Sequence, residues 1–275
     1  MKKNPVRALL LFLIPFLFFT ACATIPGDAN PDAGVPKKII IPADSSSPDE
    51  LFWNTLPDGN SPLFFGMSSR HGKRETEAAS ALEDAAKQAS RYLFATGKVE
   101  SVNRKSGTGT GFAQQVSIDY DQSDIEGLSG RLTVLKEYQD SKGTYIVAQF
   151  DAALPRSISC SLKKTEGEPN WVTKLPQIPG YFVSIGIAQT KRLLADSIKA
   201  ADEQAFADAI RQVNTEIKLL DKERTIDRLG TQVSTTGLET ASGNIAGFYV
   251  ISRGLSADGK YYYSLAVCPE SNFRK

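Results

Sequence analysis

Catalysis needs nucleophiles, proton carriers or metal ligands at workable spacing, and this chain offers few. His71 is the sole histidine, so a Ser–His–Asp or Cys–His arrangement would have to use it. It stands in Ser68-Ser69-Arg70-His71-Gly72-Lys73 with no carboxylate beside it, and reads as a surface-loop residue. With three Cys and one His, ligand count nearly excludes zinc centres and Cys/His catalysis. Gly254-Leu255-Ser256-Ala257-Asp258 starts like the nucleophile elbow of serine hydrolases but ends on Asp where Gly is needed. Gly107-Thr108-Gly109-Thr110-Gly111 lacks the Gly-Lys-Ser/Thr that completes a phosphate-binding loop. Asp119, Asp121, Asp124 and Glu126 could offer hard oxygens to Ca²⁺, yet Asp124 takes the place that the calcium loop reserves for Gly, and Gly130 that of its final Glu. The expectation is a solvated acidic turn with no metal, no cofactor and no enzymatic activity.

Two thiols and two tyrosines remain as candidates for specific contacts. Cys160 and Cys268 are a candidate disulfide in an oxidising compartment, where only the distance between their Cα atoms decides. Tyr261 and Tyr263 share one face of the last predicted strand, with Tyr262 on the other. They are candidate partner contacts, or else ordinary sheet packing.

The elements that must position these residues belong to a folded protein. The 275 residues are 41% hydrophobic and 23% charged, which fits globular usage and leaves room for two modest domains. Lys+Arg number 32 against 31 Asp+Glu, so no basic excess points to nucleic acid as a partner.

The N-terminus carries an address. Lys2, Lys3 and Arg7 flank an apolar run from Ala8 to Phe19, followed by Thr20-Ala21-Cys22, which is the layout of an export signal over residues 1–21. The run is interrupted by Pro15 and falls short of the roughly 20 apolar residues that span a bilayer. A signal ending in Cys resembles that of bacterial lipoproteins, in which the cysteine is acylated and begins the mature chain. Phe19 stands where Leu is commoner, and an ordinary signal peptide is the alternative. Acyl chains on Cys22 would anchor the chain by hydrophobic transfer, about 0.8 kcal/mol per buried CH₂. Losing residues 1–21 leaves 29 Lys+Arg against 31 Asp+Glu, so no polybasic patch assists the anchor. Ala23, where Asp would mark inner-membrane retention, favours the outer membrane. Residues 22–50 hold Pro26, Pro31, Pro36, Pro42, Pro48 and the Ser45-Ser46-Ser47 run, a tether composition. Lys37-Lys38-Ile39-Ile40-Ile41 could instead be a short edge strand.

Beyond the tether the chain repeats itself. Trp53-Asn54-Thr55-Leu56-Pro57 returns as Trp171-Val172-Thr173-Lys174-Leu175-Pro176, and Leu63-Phe64-Phe65-Gly66-Met67-Ser68 as Val183-Ser184-Ile185-Gly186-Ile187-Ala188. With Gly66 placed on Gly186, Ala78, Ala81, Ala85, Ala89 and Leu93 fall on Ile198, Ala201, Ala205, Ala209 and Val213, a stripe at helical spacing. Small residues let a helix lie close on a sheet, while Glu75, Glu77, Glu83, Asp84 and Lys87 are expected to face water. Hairpins follow at Arg131–Tyr138 with Thr144–Phe150 and at Ile245–Ser252 with Lys260–Val267; Gly143 and Gly259 are expected to supply positive φ. The polar segments between helix and hairpin, Gly107 to Gly111 and Thr231 to Gly243, read as loops. The fold class is α+β: two tandem strand–helix–variable segment–hairpin units, over residues 51–158 and 159–275, each a small antiparallel sheet covered by one long helix.

The Trp-x-x-x-Leu-Pro motif, the strand ending in Ile185-Gly186-Ile187-Ala188 and the helix carrying Ala201, Ala205 and Ala209 resemble the LPP20-type bacterial lipoproteins. The resemblance covers most of residues 51–268 and implies envelope association, with flagellum-associated outer-membrane members in that family, and self-assembly or partner binding. It brings no catalytic residues. The expected role is that of a non-enzymatic, outer-membrane-anchored structural or protein-interaction module, binding envelope proteins or itself. The alternative is a receptor for cell-wall glycan or a small ligand in the cleft between the units.

Overall fold

The computed structural model describes residues 39–41, 54–57, 59–106, 109–162, 168–225 and 238–273. Its first strand, β1 (Ile39–Ile41), comes from the segment that composition left between tether and strand. The first half then builds β2 (Leu63–Ser69), α1 (Arg74–Leu93), the long pair β3 (Ala95–Ser106) and β4 (Gly109–Tyr120), a short α2 (Ile125–Gly130), and the hairpin β5 (Leu132–Gln139) and β6 (Gly143–Phe150). The second half starts at α3 (Asn170–Thr173) and runs through β7 (Tyr181–Gln189), α4 (Leu194–Thr225), β8 (Leu238–Ile245), β9 (Tyr249–Leu255) and β10 (Tyr261–Pro269), ending in a 3₁₀ turn at Glu270–Phe273.

The duplication is physical. In each half the first strand pairs antiparallel with the second strand of the hairpin, giving the orders β5-β6-β2 and β9-β10-β7, and β1 adds to the former as a parallel edge beside β5. The alanine stripe packs each helix onto its sheet: Ala81, Ala85 and Ala89, then Ala201, Ala205 and Ala209, are all buried. That approach sets a limit on the facing strand. A Cβ on Gly66 would sit 2.0 Å from the Ala81 carbonyl oxygen, and one on Gly186 1.9 Å from that of Ala201. Only glycine fits at either place, which fixes the offset of the two copies at the backbone level.

Two expectations need correction. Gly259 has φ +70° in the second hairpin turn, but Gly143 keeps an ordinary φ. Its need for glycine is steric: a Cβ there would lie 2.0 Å from the Ser68 carbonyl oxygen across the β2–β6 ladder. The variable segments are also more than loops. Gly109 to Gly111 begin β4, and Leu238 to Gly243 belong to β8, which pairs with β3 to give a third sheet of order β4-β3-β8. This sheet takes two strands from the first half and one from the second. A low-complexity segment carries no side-chain alternation to announce a strand, yet backbone pairing needs none. Residues 107–108 and 231–237 lie outside the described set.

The halves share their cores. Phe206 and Ile210 of α4 fill the space over Gly97 of β3, and join Ala95, Val99 and Ile245 in one buried cluster. Phe64 and Tyr92 of the first half pack edge-on against Tyr249 of the second. Asn54 bridges to Ser252, and Thr55 binds β9 through its N–H to the Ile251 carbonyl (3.0 Å) and its hydroxyl to that of Val250 (2.6 Å). The described residues therefore form one compact unit.

Candidate functional site

Most residues singled out from sequence turn out to be structural or exposed. His71 is exposed. Ser256 gives its hydroxyl hydrogen to Asp258 (2.7 Å), an arrangement within one turn. Asp121 receives both the N–H and the hydroxyl of Ser123, and among the described residues no group of acidic, cysteine and histidine side chains is placed to hold a metal. Cys160 and Cys268, the candidate disulfide pair, are thiols packed against different core clusters. Tyr261 is 37% exposed, whereas Tyr263 is 8% exposed. Tyr263 stands edge-on to Trp171 and donates to Glu168 (2.7 Å); burial and that carboxylate push its hydroxyl up to about 12. Tyr263 is thus packing, and Tyr261 is the tyrosine that a partner could touch. Cys22 and Trp53 lie outside the described residues.

Side chains assigned to solvent instead build the interior polar structure, beginning with Glu77. Its side chain is fully buried and accepts from Arg70 (2.7 Å), Arg74 (2.7 Å), the His71 N–H (2.8 Å) and the Thr144 hydroxyl (3.0 Å). Burial alone would raise its carboxyl, but these donors outweigh it and hold the group at about 2. Arg74 continues to the Asp140 carbonyl (2.7 Å), tying the start of α1 to the β5–β6 turn.

Asp84 likewise has a partner rather than open water. β2 and β7 are edge strands, whose outward N–H and C=O groups need partners. Asp84 accepts the Met67 N–H (3.1 Å) while Gln88 donates to the Phe65 carbonyl (2.5 Å). In the second half Asp208 accepts the Ile185 N–H (3.2 Å) and Gln212 donates to the Val183 carbonyl (3.1 Å). Each helix thus clamps its own edge strand with an Asp-x-x-x-Gln pair. The second clamp sits one turn further along its helix and two residues earlier on its strand. An alignment that overlays Gly66 and Gly186 puts Asp84 opposite Gln204 and hides the correspondence.

Between α1 and α4 the two halves leave a cleft of about 340 Å³, lined by Asp84, Gln88 and Arg91 of α1, Asp202 of α4, Phe65 of β2 and Tyr120 of β4 among others. Lys199 and Asp196 also line it and are exposed. Beneath it lies an ion pair of the second half whose arginine reaches across to the first. Arg253 of β9, 2% exposed in its side chain, holds Asp202 at 2.7 Å, reaches Gln88 of the first half at 3.4 Å and lies over the Phe65 ring at 5.1 Å. Ser264 gives Asp202 a further hydrogen bond at 2.5 Å. Desolvation pushes the Asp84 carboxyl up, opposed by the Met67 N–H and by Arg91. Arg91 Cζ lies over the Tyr120 ring, 4.7 Å from its centroid, and its buried Nε has no hydrogen-bond partner. Mixed charge, an aromatic wall and an unmet donor suit the cleft to a polar ligand.

A second cavity, of about 330 Å³, opens at the start of α4 beside Arg70, Lys142 and Arg192. Comparison with family models, curated proteins and solved structures finds no match for this chain, so its own residues carry the functional reading.

Proposed function

We propose that the protein is a non-catalytic, lipid-anchored module of the bacterial envelope, acting by binding rather than by chemistry. The observation that carries this reading is the charged–apolar–small sequence ending at Cys22, followed by a Pro/Ser-rich stretch and a duplicated body. Among the described residues no helix is long and apolar enough to cross a membrane, which is compatible with attachment through acyl chains. The resemblance to LPP20-type lipoproteins adds support, and Ala23 favours the outer membrane. Its partners on this reading are envelope proteins or a second copy, with Tyr261 as a candidate contact. Growth with an alkyne-bearing fatty acid tests it: the wild-type chain takes up label and sediments with membranes, while Cys22→Ser is unlabelled and leaves the membrane fraction. An unlabelled wild-type chain refutes it.

The cleft favours a second reading, in which the same anchored protein takes up a small polar ligand between its halves. Its volume falls within the roughly 300–1,000 Å³ of small-molecule sites, and its lining is set by helices packed into the core. Saturable binding of soluble envelope fragments that substitutions at Arg91 weaken is the expected result; binding indifferent to those substitutions counts against it.

A further inference from the structure

The side chains around the cleft identify the chemistry of its ligand, an inference that rests on the small-ligand reading. Arg91 is the one lining cation whose guanidinium has a buried nitrogen, Nε, left without a hydrogen-bond partner. The Arg91 guanidinium sits over the Tyr120 ring, 4.7 Å from its centroid, and a planar guanidinium offers donors that match the paired oxygens of a carboxylate. Two turns earlier on the same helix stands Asp84, whose Oδ2 is committed to the β2 clamp, leaving Oδ1 for a ligand donor. Of the other lining charges, Lys87 is engaged by Glu83 at 2.7 Å and Asp202 by Arg253 at 2.7 Å, while Lys199 and Asp196 are exposed. We propose that the cleft binds a zwitterion of amino-acid to short-peptide size, its carboxylate on Arg91 and its ammonium on Asp84.

The spacing sets the scale. Seven residues along a helix advance about 10 Å, close to the span of about three extended residues. A ligand ammonium beside Asp84 would also offset the desolvation that now disfavours the carboxylate. The ends of the ligand supply the recognition, so blocking either end should abolish one contact and leave the other.

Calorimetric titration of the full chain, purified from membranes in detergent, tests this with trialanine, N-acetyl-trialanine and trialanine amide. Trialanine is expected to bind saturably, and each blocked peptide at least tenfold more weakly. Arg91→Met keeps the stacking stem and should weaken trialanine at least tenfold while leaving the amide unchanged. Asp84→Asn keeps an oxygen for the Met67 N–H and should weaken trialanine but not the acetylated peptide. Melting temperatures near wild type show that each variant folds. Equal affinity for the three peptides, or trialanine binding indifferent to Arg91→Met, overturns the assignment. If trialanine is silent while a chitotetraose probe binds and is weakened by Arg91→Met, the zwitterion is wrong and the cleft reading stands; silence from both probes overturns both.

Discussion

The loop from first strand to helix is built twice in this molecule, and the two versions solve one problem with different chemistry. At equivalent positions, the His71 N–H donates to the buried Glu77 carboxylate (2.8 Å) and the Lys191 N–H to the buried Ser197 hydroxyl (2.8 Å). The hydroxyl closes its loop by also donating to the Leu193 carbonyl (3.1 Å) and asks for nothing else. The carboxylate brings a charge, and with it Arg70, Arg74 and Thr144. The second half places its own buried charge elsewhere, as Asp202 with Arg253 at the junction with the first half. A duplicated backbone therefore keeps its close contacts, Gly66 and Gly186 on their alanine helices, while its polar interior diverges. In the first half that divergence ties helix to hairpin; in the second it ties one half to the other.

The largest effect should come from the charge at the junction. Arg253→Met strands Asp202 with little water to replace its partner, and should cost about 3–5 kcal/mol in chemical denaturation. The same loss in the first half should be milder, because Arg70 and Arg74 are partly exposed and can rehydrate: Glu77→Gln should cost about 1–3 kcal/mol. A Glu77 variant worse than the Arg253 variant would invert the comparison. Gly66→Ala and Gly186→Ala probe what the copies share. Both push a methyl into a helix carbonyl and should cost similar amounts, about 1–3 kcal/mol or more; a harmless substitution at one site breaks the equivalence.

Acid separates the two loops. Glu77 is held at about 2 against an ordinary 4.5, so its contribution is complete above about 4.5 and drains away as pH falls through about 2. Wild-type stability should therefore drop over that window, and Glu77→Gln should lose the part of the slope due to this group. Ser197 has no charge to titrate, so Ser197→Ala should lower stability by about 1 kcal/mol with an unchanged acid profile. An acid slope identical in wild type and Glu77→Gln would show that the carboxylate is not held down.

What could be read from sequence was what two copies had in common. The glycines and the alanine stripe sit at one offset because close backbone packing tolerates no alternative, and the α+β order followed from them. The polar interior was not legible. Helical spacing puts Glu77 and Asp84 off the alanine stripe, and only the donors of a neighbouring loop and strand make burial of their charge tolerable. The clamps escaped because the second is displaced by a turn on its helix. The cleft depended on both, since Asp84, Gln88 and Arg91 gain meaning only when α4 lies opposite. For Tyr261 and Tyr263 the choice between partner contact and sheet packing stayed open, because strand alternation tells which side a residue takes, not what covers that side.

Two sequence copies have become one folding unit, with a cleft at their junction. Hydrogen exchange along a denaturant series addresses this directly, by following the amides of Ala81 to Ala89 and of Ala201 to Ala209. The prediction is a common opening free energy, with both helices losing protection at the same denaturant concentration. One helix exchanging freely while the other stays protected would contradict it.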